Sequence, residues 1–493
     1  MVRHRFWPDC IVVACLLVSN AAWADTVAVG PGRKFTAPCA AIAAARDGDV
    51  IEIDAAGTYA GDVCPVARSG LTLRGVGGRA KIDAQGKNSG GKGIWVITGH
   101  DTTVENLEFS GATVPDQNGA GIRQEGDNLT VRGCYFHDNE NGILTGASAQ
   151  SQILIEYSEF SNNGFGDGYS HNMYIGNVAR FTLRYSYSHD SNVGHLVKSR
   201  AAENIIAYNR LSSEQGHSSY ELDLPNLGLA LVIGNLIQQG ENSENPSLLS
   251  YGLEGVTAGN PKHELYVVNN TFVNDRLNGG TFINIGPAVD FPAQLENNIF
   301  AGKGTLSNQA SAVSTSNFAG DPQFVNRAAF DYTLQSGSPC VDSGTAPGEA
   351  GGIALTPEWQ YVHPANARAR VGVGAIDIGA YELGAGNEAG AGGAGGVFGA
   401  GGAEASGGAA EVISGGVGST TGGPAHTGGG GSFAGAAPIA KATDEGGCSC
   451  HVNGSPHNPA RGAALLVALL LSRARARRSC AGSRSRTPSC SGR

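Results

Sequence analysis

The stretch TVRGCYFHDN, residues 130–139, alternates apolar and polar positions, breaks at a glycine, returns to an apolar residue and ends in turn formers. A short strand followed by a bend reads this way. The phrase recurs as TVENLEFSG (103–111), LIEYSEFSNNG (154–164), TLRYSYSHDS (182–191), IIAYNRLSSE (205–214), LVIGNLIQQG (231–240), YVVNNTFVND (266–275) and QLENNIFAG (294–302). Phe109 to Phe136 is 27 residues, Phe136 to Phe160 is 24, Asn209 to Asn235 is 26 and Asn270 to Asn298 is 28. A period in the twenties with β-type alternation and Asn or Gly at the breaks belongs to a solenoid whose coils add short strands to parallel sheets. The regular Leu framework of leucine-rich repeats, which share this period, is missing. The expected fold is all-β, with residues 71–302 in stacked coils and the recurring Asn and Gly at turns.

The chain has 493 residues, 75 of them Gly and only 15% charged, so its composition is read by segment. Arg3 and Arg5, the apolar run CIVVACLLV (10–18) and AWA ending at Ala24 have the order of a secretory signal, which predicts a mature chain starting at Asp25. Two of the ten cysteines leave with that signal and four lie in the tail, leaving Cys39, Cys64, Cys134 and Cys340. Export permits disulfides, and Cys39 with Cys64 is the pair closest in sequence; Cys134 is expected to pack as a small apolar residue. The formal net charge is −10, yet residues 446–493 hold eight Arg and no acid, so the rest carries 25 Lys and Arg against 43 Asp and Glu. Such an acidic body does not attract nucleic acid by its overall field, and a polyanion partner requires a local basic patch or a bridging cation.

Around the repeats, AAIAAARDGDVIEIDAAGTY (40–59), LTLRGVGGRAKIDAQG (71–86) and DIGAYE (377–382) resemble the N-terminal cap helix and first strand, the first full coil and the closing strand of the pectate lyase-like superfamily. The resemblance implies a right-handed parallel β-helix over residues 25–383. It also implies action on a polysaccharide, while leaving lyase, hydrolase, epimerase and non-catalytic adhesin open. Residues 384–446 are Gly-rich, with few bulky apolar residues, and read as a disordered linker. Residues 447–493 contain Cys448 and Cys450, the apolar stretch GAALLVALLLS (462–472) and RARARR (473–478), and resemble a myxobacterial C-terminal sorting tail. That likeness implies processing or lipid attachment near Cys448 or Cys450 and retention at the cell surface; a monomer is expected.

Registering the coils brings out one cluster, starting from GHLVKSR (194–200). An offset of 24 sets Phe181 and Leu183 on Ile205 and Ala207, Met173 on Val197 and Tyr174 on Lys198. An offset of 25 sets Lys198 on Asp223. If Met173, Val197 and Leu222 point into the core, alternation turns Asn172, Tyr174, Leu196, Lys198, Arg200, Glu221 and Asp223 outward, with Glu254 on the next coil. His171 and His195 share the inward parity. Tyr174, Tyr220 and Tyr251 then offer rings for sugars, on a surface suited to an acidic polysaccharide.

Eliminating across a uronate requires a neutralised carboxylate and a base for the C5 proton. Arg200 suits the first role, Lys198 the second, and Tyr174 or His195 is the fallback base. Substrate contacts are assigned to Tyr220, Glu221, Asp223, Arg210 and His195, and a possible Ca²⁺ to Glu221, Asp223 and Glu254. Glu221 with Asp223 supports the alternative of a hydrolase. The bland reading is a cross-strand Lys198–Asp223 ion pair on a solvated face. Because Lys198 and Arg200 are placed outward, truncating either is expected to leave folding intact.

Overall fold

The computed structural model describes residues 24–257 and 259–384. The leader, the Gly-rich linker after Gly384, and the tail with Cys448 and Cys450 lie outside the described residues.

Three parallel sheets run along the chain, and each coil gives one strand to each of them in turn. The first sheet has twelve strands, from Thr26–Val29 to Val313–Thr315. The second has eleven, from Tyr59–Ala60 to Phe318–Ala319, and the third ten, from Cys64–Val66 to Thr305–Ser307. Alternation decides which side chains enter the solenoid. In the first sheet Val104, Val131, Ile155, Leu183, Ile206, Val232, Val267 and Leu295 stand in register and are all buried in the core. Phe109, Phe136 and Phe160 stack beneath the second sheet with centroids 5.0 and 4.9 Å apart. One short helix, Pro38–Ala44, precedes the second strand of the first sheet, and a disulfide joins Cys39 to Cys64. Cys134 is buried.

The bend from first to second sheet shows how the repeated phrase works. Its first residue adopts the left-handed conformation (Gly133, Tyr157, Tyr185, Tyr208, Gly234, Asn269 and Asn297), and the next side chain turns inward. Asn209, Asn235, Asn270 and Asn298 each pass an amide hydrogen bond to the carbonyl oxygen of the following coil's Asn, at 2.9–3.0 Å, ending on Asn317. Toward the N-terminus Cys134, Ser158 and Ser186 hold the same position, each N–H donating to the side chain one coil on. The buried bend is thereby supplied with hydrogen-bond partners.

Two sequence expectations shift here. In the first sheet Phe181 pairs with Asn204 and Leu183 with Ile206, not with Ile205 and Ala207, because the passage from Lys198 to Glu203 is one residue shorter than that from Tyr174 to Arg180. DIGAYE is not a strand. Asp377 and Glu382 are instead buried acceptors, Glu382 pairing with Arg370 at 2.8 Å and Asp377 taking the N–H groups of Asp342 and Leu383.

The coils end at Phe318–Ala319, and residues 321–383 form short antiparallel pairs outside them. This segment packs on outer residues of the second sheet (Tyr187, Leu236, Val273) and of the first (Leu229, Leu231, Val268). Among the described residues, neither of those outer clusters includes a member of the third sheet.

Candidate functional site

On the outer face of the third sheet Tyr174, Lys198, Asp223 and Ser250 form a column, each in register with the next. Met173, Val197, Leu222 and Leu249 face the core behind them. The column therefore stands as the offsets of 24 and 25 require, but it is not solvated. The Lys198 side chain is 1% exposed, Arg200 9% and Asp223 5%.

The cover comes from the next coil. After the strand Ser247–Tyr251 the chain turns through Gly252, whose φ of 73° suits glycine, and brings Glu254 back over the column. One carboxylate oxygen of Glu254 lies 3.1 Å from Lys198 Nζ and the other 2.7 Å from Arg200 Nη1. Lys198 also lies 3.3 Å from Asp223, whose other oxygen accepts from the Ser250 hydroxyl. Arg200 donates from Nε to the Tyr174 hydroxyl at 2.6 Å and from Nη1 to Asn226. The Tyr174 ring lies 5.8 Å from Lys198 Nζ and 5.6 Å from the Arg200 guanidinium. Two cations and two carboxylates thus balance in a nearly dry cluster. Burial works against the Arg200 charge, but Glu254 and Tyr174 more than offset it and raise its pKa.

His195 and His171 flank this column, contrary to the inward parity expected of them. They leave the bend before alternation is established. His171 stacks on Tyr174 at 5.8 Å and on His195 at 4.5 Å. His195 Nε2 reaches to 3.5 Å from Asp223, and Tyr220 meets the His195 ring edge to face at 5.1 Å. Burial first, then the charges of Lys198 and Arg200, hold both imidazoles well below their ordinary pKa, with His195 adding to the effect on His171.

Several predicted members are elsewhere. Glu221 is not outward: it lies in the corner between the second and third sheets, accepting from the Ser213 hydroxyl at 2.7 Å and the Gln239 amide at 3.3 Å. Burial pushes its pKa well above the carboxylate range despite those bonds. Glu221 therefore does not join Asp223 and Glu254, and the three-carboxylate calcium set is not assembled. Among the described residues no group of three or more His, Cys, Asp or Glu side chains is placed to hold a metal ion. The Glu221–Asp223 hydrolase pair is likewise split across the backbone. Leu196 enters the core, and Asn172 turns inward to donate to Ser188 and His189. Tyr251 is buried with its hydroxyl on the Gly228 carbonyl at 2.5 Å, so it presents no ring to a sugar. Arg210 lies on the second sheet, over the Tyr187 ring and paired with Glu214, beneath the C-terminal segment.

Sequence reasoning missed Phe165 and Tyr169, which are exposed on the loop entering the strand Met173–Ile175. Leu253 and Val256 are exposed on the loop leaving the third sheet, at its opposite edge. The signal available was two aromatics set among Gly and Asp in NNGFGDGYSHN, with no alternation to bury them.

No curated relative matches the chain. Among solved structures it is similar to pectate lyase Pel9A, at 14% identity over 73% of this chain and 96% of that one, with a TM-score of 0.46. It is also similar to the pectin methylesterase from Aspergillus niger, at 12% identity over 64% of this chain and 91% of that one, with a TM-score of 0.23. A family model described as right handed beta helix region matches residues 69–326, which is more than half of the sequence and includes every member of the column. With its coils and their register described, the chain belongs to the right-handed β-helix family.

Proposed function

We propose that this protein binds an acidic, uronate-containing polysaccharide along the outer face of the third sheet and cleaves it by β-elimination. One observation carries the reading: Lys198 and Arg200 already grip a carboxylate, one oxygen each, and that carboxylate belongs to a loop. Glu254, 30% exposed, is the most accessible of the four charged members of the cluster. A uronate acid group has the same charge and the same two oxygens. It takes the Glu254 position when the loop withdraws, and a guanidinium is well shaped to hold it.

With the acid group held by Arg200, Lys198 releases a proton to solvent and its neutral Nζ takes the C5 proton, the C4–O bond breaks, and a C4–C5 double bond forms. The leaving oxygen takes a proton from the Tyr174 hydroxyl or from water. Phe165 and Tyr169 supply ring faces at the edge of the same sheet.

The test is an assay of the full chain on polygalacturonate, alginate and chondroitin sulfate. Ultraviolet absorbance of unsaturated uronate ends is expected. New reducing ends without that absorbance would make the protein a hydrolase, and retention on a polymer without either would make it a binding module.

We propose further that the protein is exported and held at the cell surface through residues 446–493. Deleting those residues is expected to release it into the medium, and unchanged cell association would overturn that placement.

A further inference from the structure

We infer that His171 donates a hydrogen bond from Nε2 to the captured acid group, as a third donor beside Lys198 and Arg200. This rests on the polysaccharide reading above and adds to it a residue that touches substrate. His171 is 1% exposed, and its Nε2 has no hydrogen-bond partner among the described residues. A buried donor left unpaired costs about 1–3 kcal/mol, so its persistence calls for an explanation.

The tautomer is fixed by the main chain. Nδ1 of His171 accepts the His195 N–H at 3.0 Å, so a neutral ring carries its proton on Nε2. Its direction is fixed by comparison with the ring stacked on it. His195 uses Nδ1 in the same way, facing the Tyr220 N–H at 3.4 Å, and its Nε2 points to Asp223 on the outer face. The two rings lie within 16° of parallel, one coil apart, and each sets Nδ1 against the next coil's N–H, so His171 Nε2 is directed toward the same face one coil earlier. The residue one coil before Asp223 in that column is Lys198. Where His195 meets an acceptor, His171 meets an ammonium, which has none to offer. An anionic oxygen beside Lys198 satisfies both. Glu254 reaches Lys198 but leaves His171 unpaired, so an acid group that is not tethered to that loop can settle deeper than Glu254 does.

Two substitutions separate this role from a structural one. His171→Gln keeps an N–H donor near the Nε2 position and loses the Nδ1 acceptor. His171→Asn keeps an acceptor near Nδ1 and loses the donor. Dissociation constants of both full-length variants and the parent are measured on polygalacturonate, alginate and chondroitin sulfate, with thermal melts alongside. Binding by His171→Asn is expected to weaken about five- to tenfold, with His171→Gln close to the parent, the scale of one hydrogen bond. If His171→Asn binds like the parent while His171→Gln melts earlier, His171 only caps the His195 backbone and the inference falls alone. If the parent binds none of the three polymers, the polysaccharide reading falls and this inference with it.

Discussion

Lys198 is 1% exposed and held between Asp223 and Glu254, so removing it leaves Asp223 buried beside Ser250 and a neutral His195. Breaking one side of a buried ion pair costs roughly 3–5 kcal/mol. Lys198→Ala is therefore expected to lower stability by an amount of that order in chemical denaturation, together with losing turnover. A loss below about 1 kcal/mol would show the cluster to be more hydrated than its geometry implies. Nothing in the local pattern around Lys198 signals this burial. Alternation correctly sets Lys198 outside the core, but the Glu254 loop that closes over it comes from a coil 56 residues on, and no local pattern encodes that return. Glu221 was misplaced for the opposite reason: it lies in a bend, where strand alternation does not apply.

At the scale of the element, the Asn ladder and the His stack are both bend residues repeated from coil to coil. Asn235 donates to the Ile206 carbonyl and to Asn270, while its own oxygen accepts from Asn209. Asn235→Ala strands those partners in the core, and a cost of about 2–3 kcal/mol is expected in denaturant unfolding. A cost no greater than that of an exposed Asn→Ala control would mean that the ladder contributes no net stability. The periodicity of Phe and Asn was legible because identical side chains recur. Cys134, Ser158 and Ser186 share the Asn position but not its chemistry, so the ladder's full length was not.

The His stack adds a pH dependence. His171 and His195 have folded pKa values well below the ordinary 6.5, so below about pH 6.5 the unfolded chain takes up protons that the folded chain refuses, and stability falls with acidification. His189 has the opposite sign. Burial opposes its charge, but Asp190 and Glu159 raise its pKa, so its contribution is present below about pH 6.5 and lost as pH rises through its folded value. Glu221 has the same sign as His189, because its buried carboxyl keeps a proton that the unfolded chain has lost. The contribution of the two imidazoles is therefore read by difference: between pH 7 and pH 5.5 the parent is expected to lose about 2 kcal/mol of unfolding free energy relative to a His171→Gln, His195→Gln double variant, and no difference would show the two imidazoles to be charged in the fold.

For the whole molecule, the placement of the C-terminal segment is what directs attention to the third sheet. Residues 321–383 cover outer residues of the first and second sheets, and the charged column lies on the remaining one. The repeats made the solenoid readable, whereas DIGAYE, taken for a closing strand, serves instead as a buried anchor through Asp377 and Glu382. The most direct test is the affinity of Glu254→Ala against the parent on polygalacturonate, alginate and chondroitin sulfate at fixed ionic strength. If Glu254 occupies the place of the substrate acid group, removing it tightens binding to at least one polymer by about tenfold and steepens its dependence on salt. Unchanged or weaker binding to all three by a normally folded variant would mean that Lys198, Arg200, Asp223 and Glu254 are a structural cluster and that the polymer binds elsewhere or not at all.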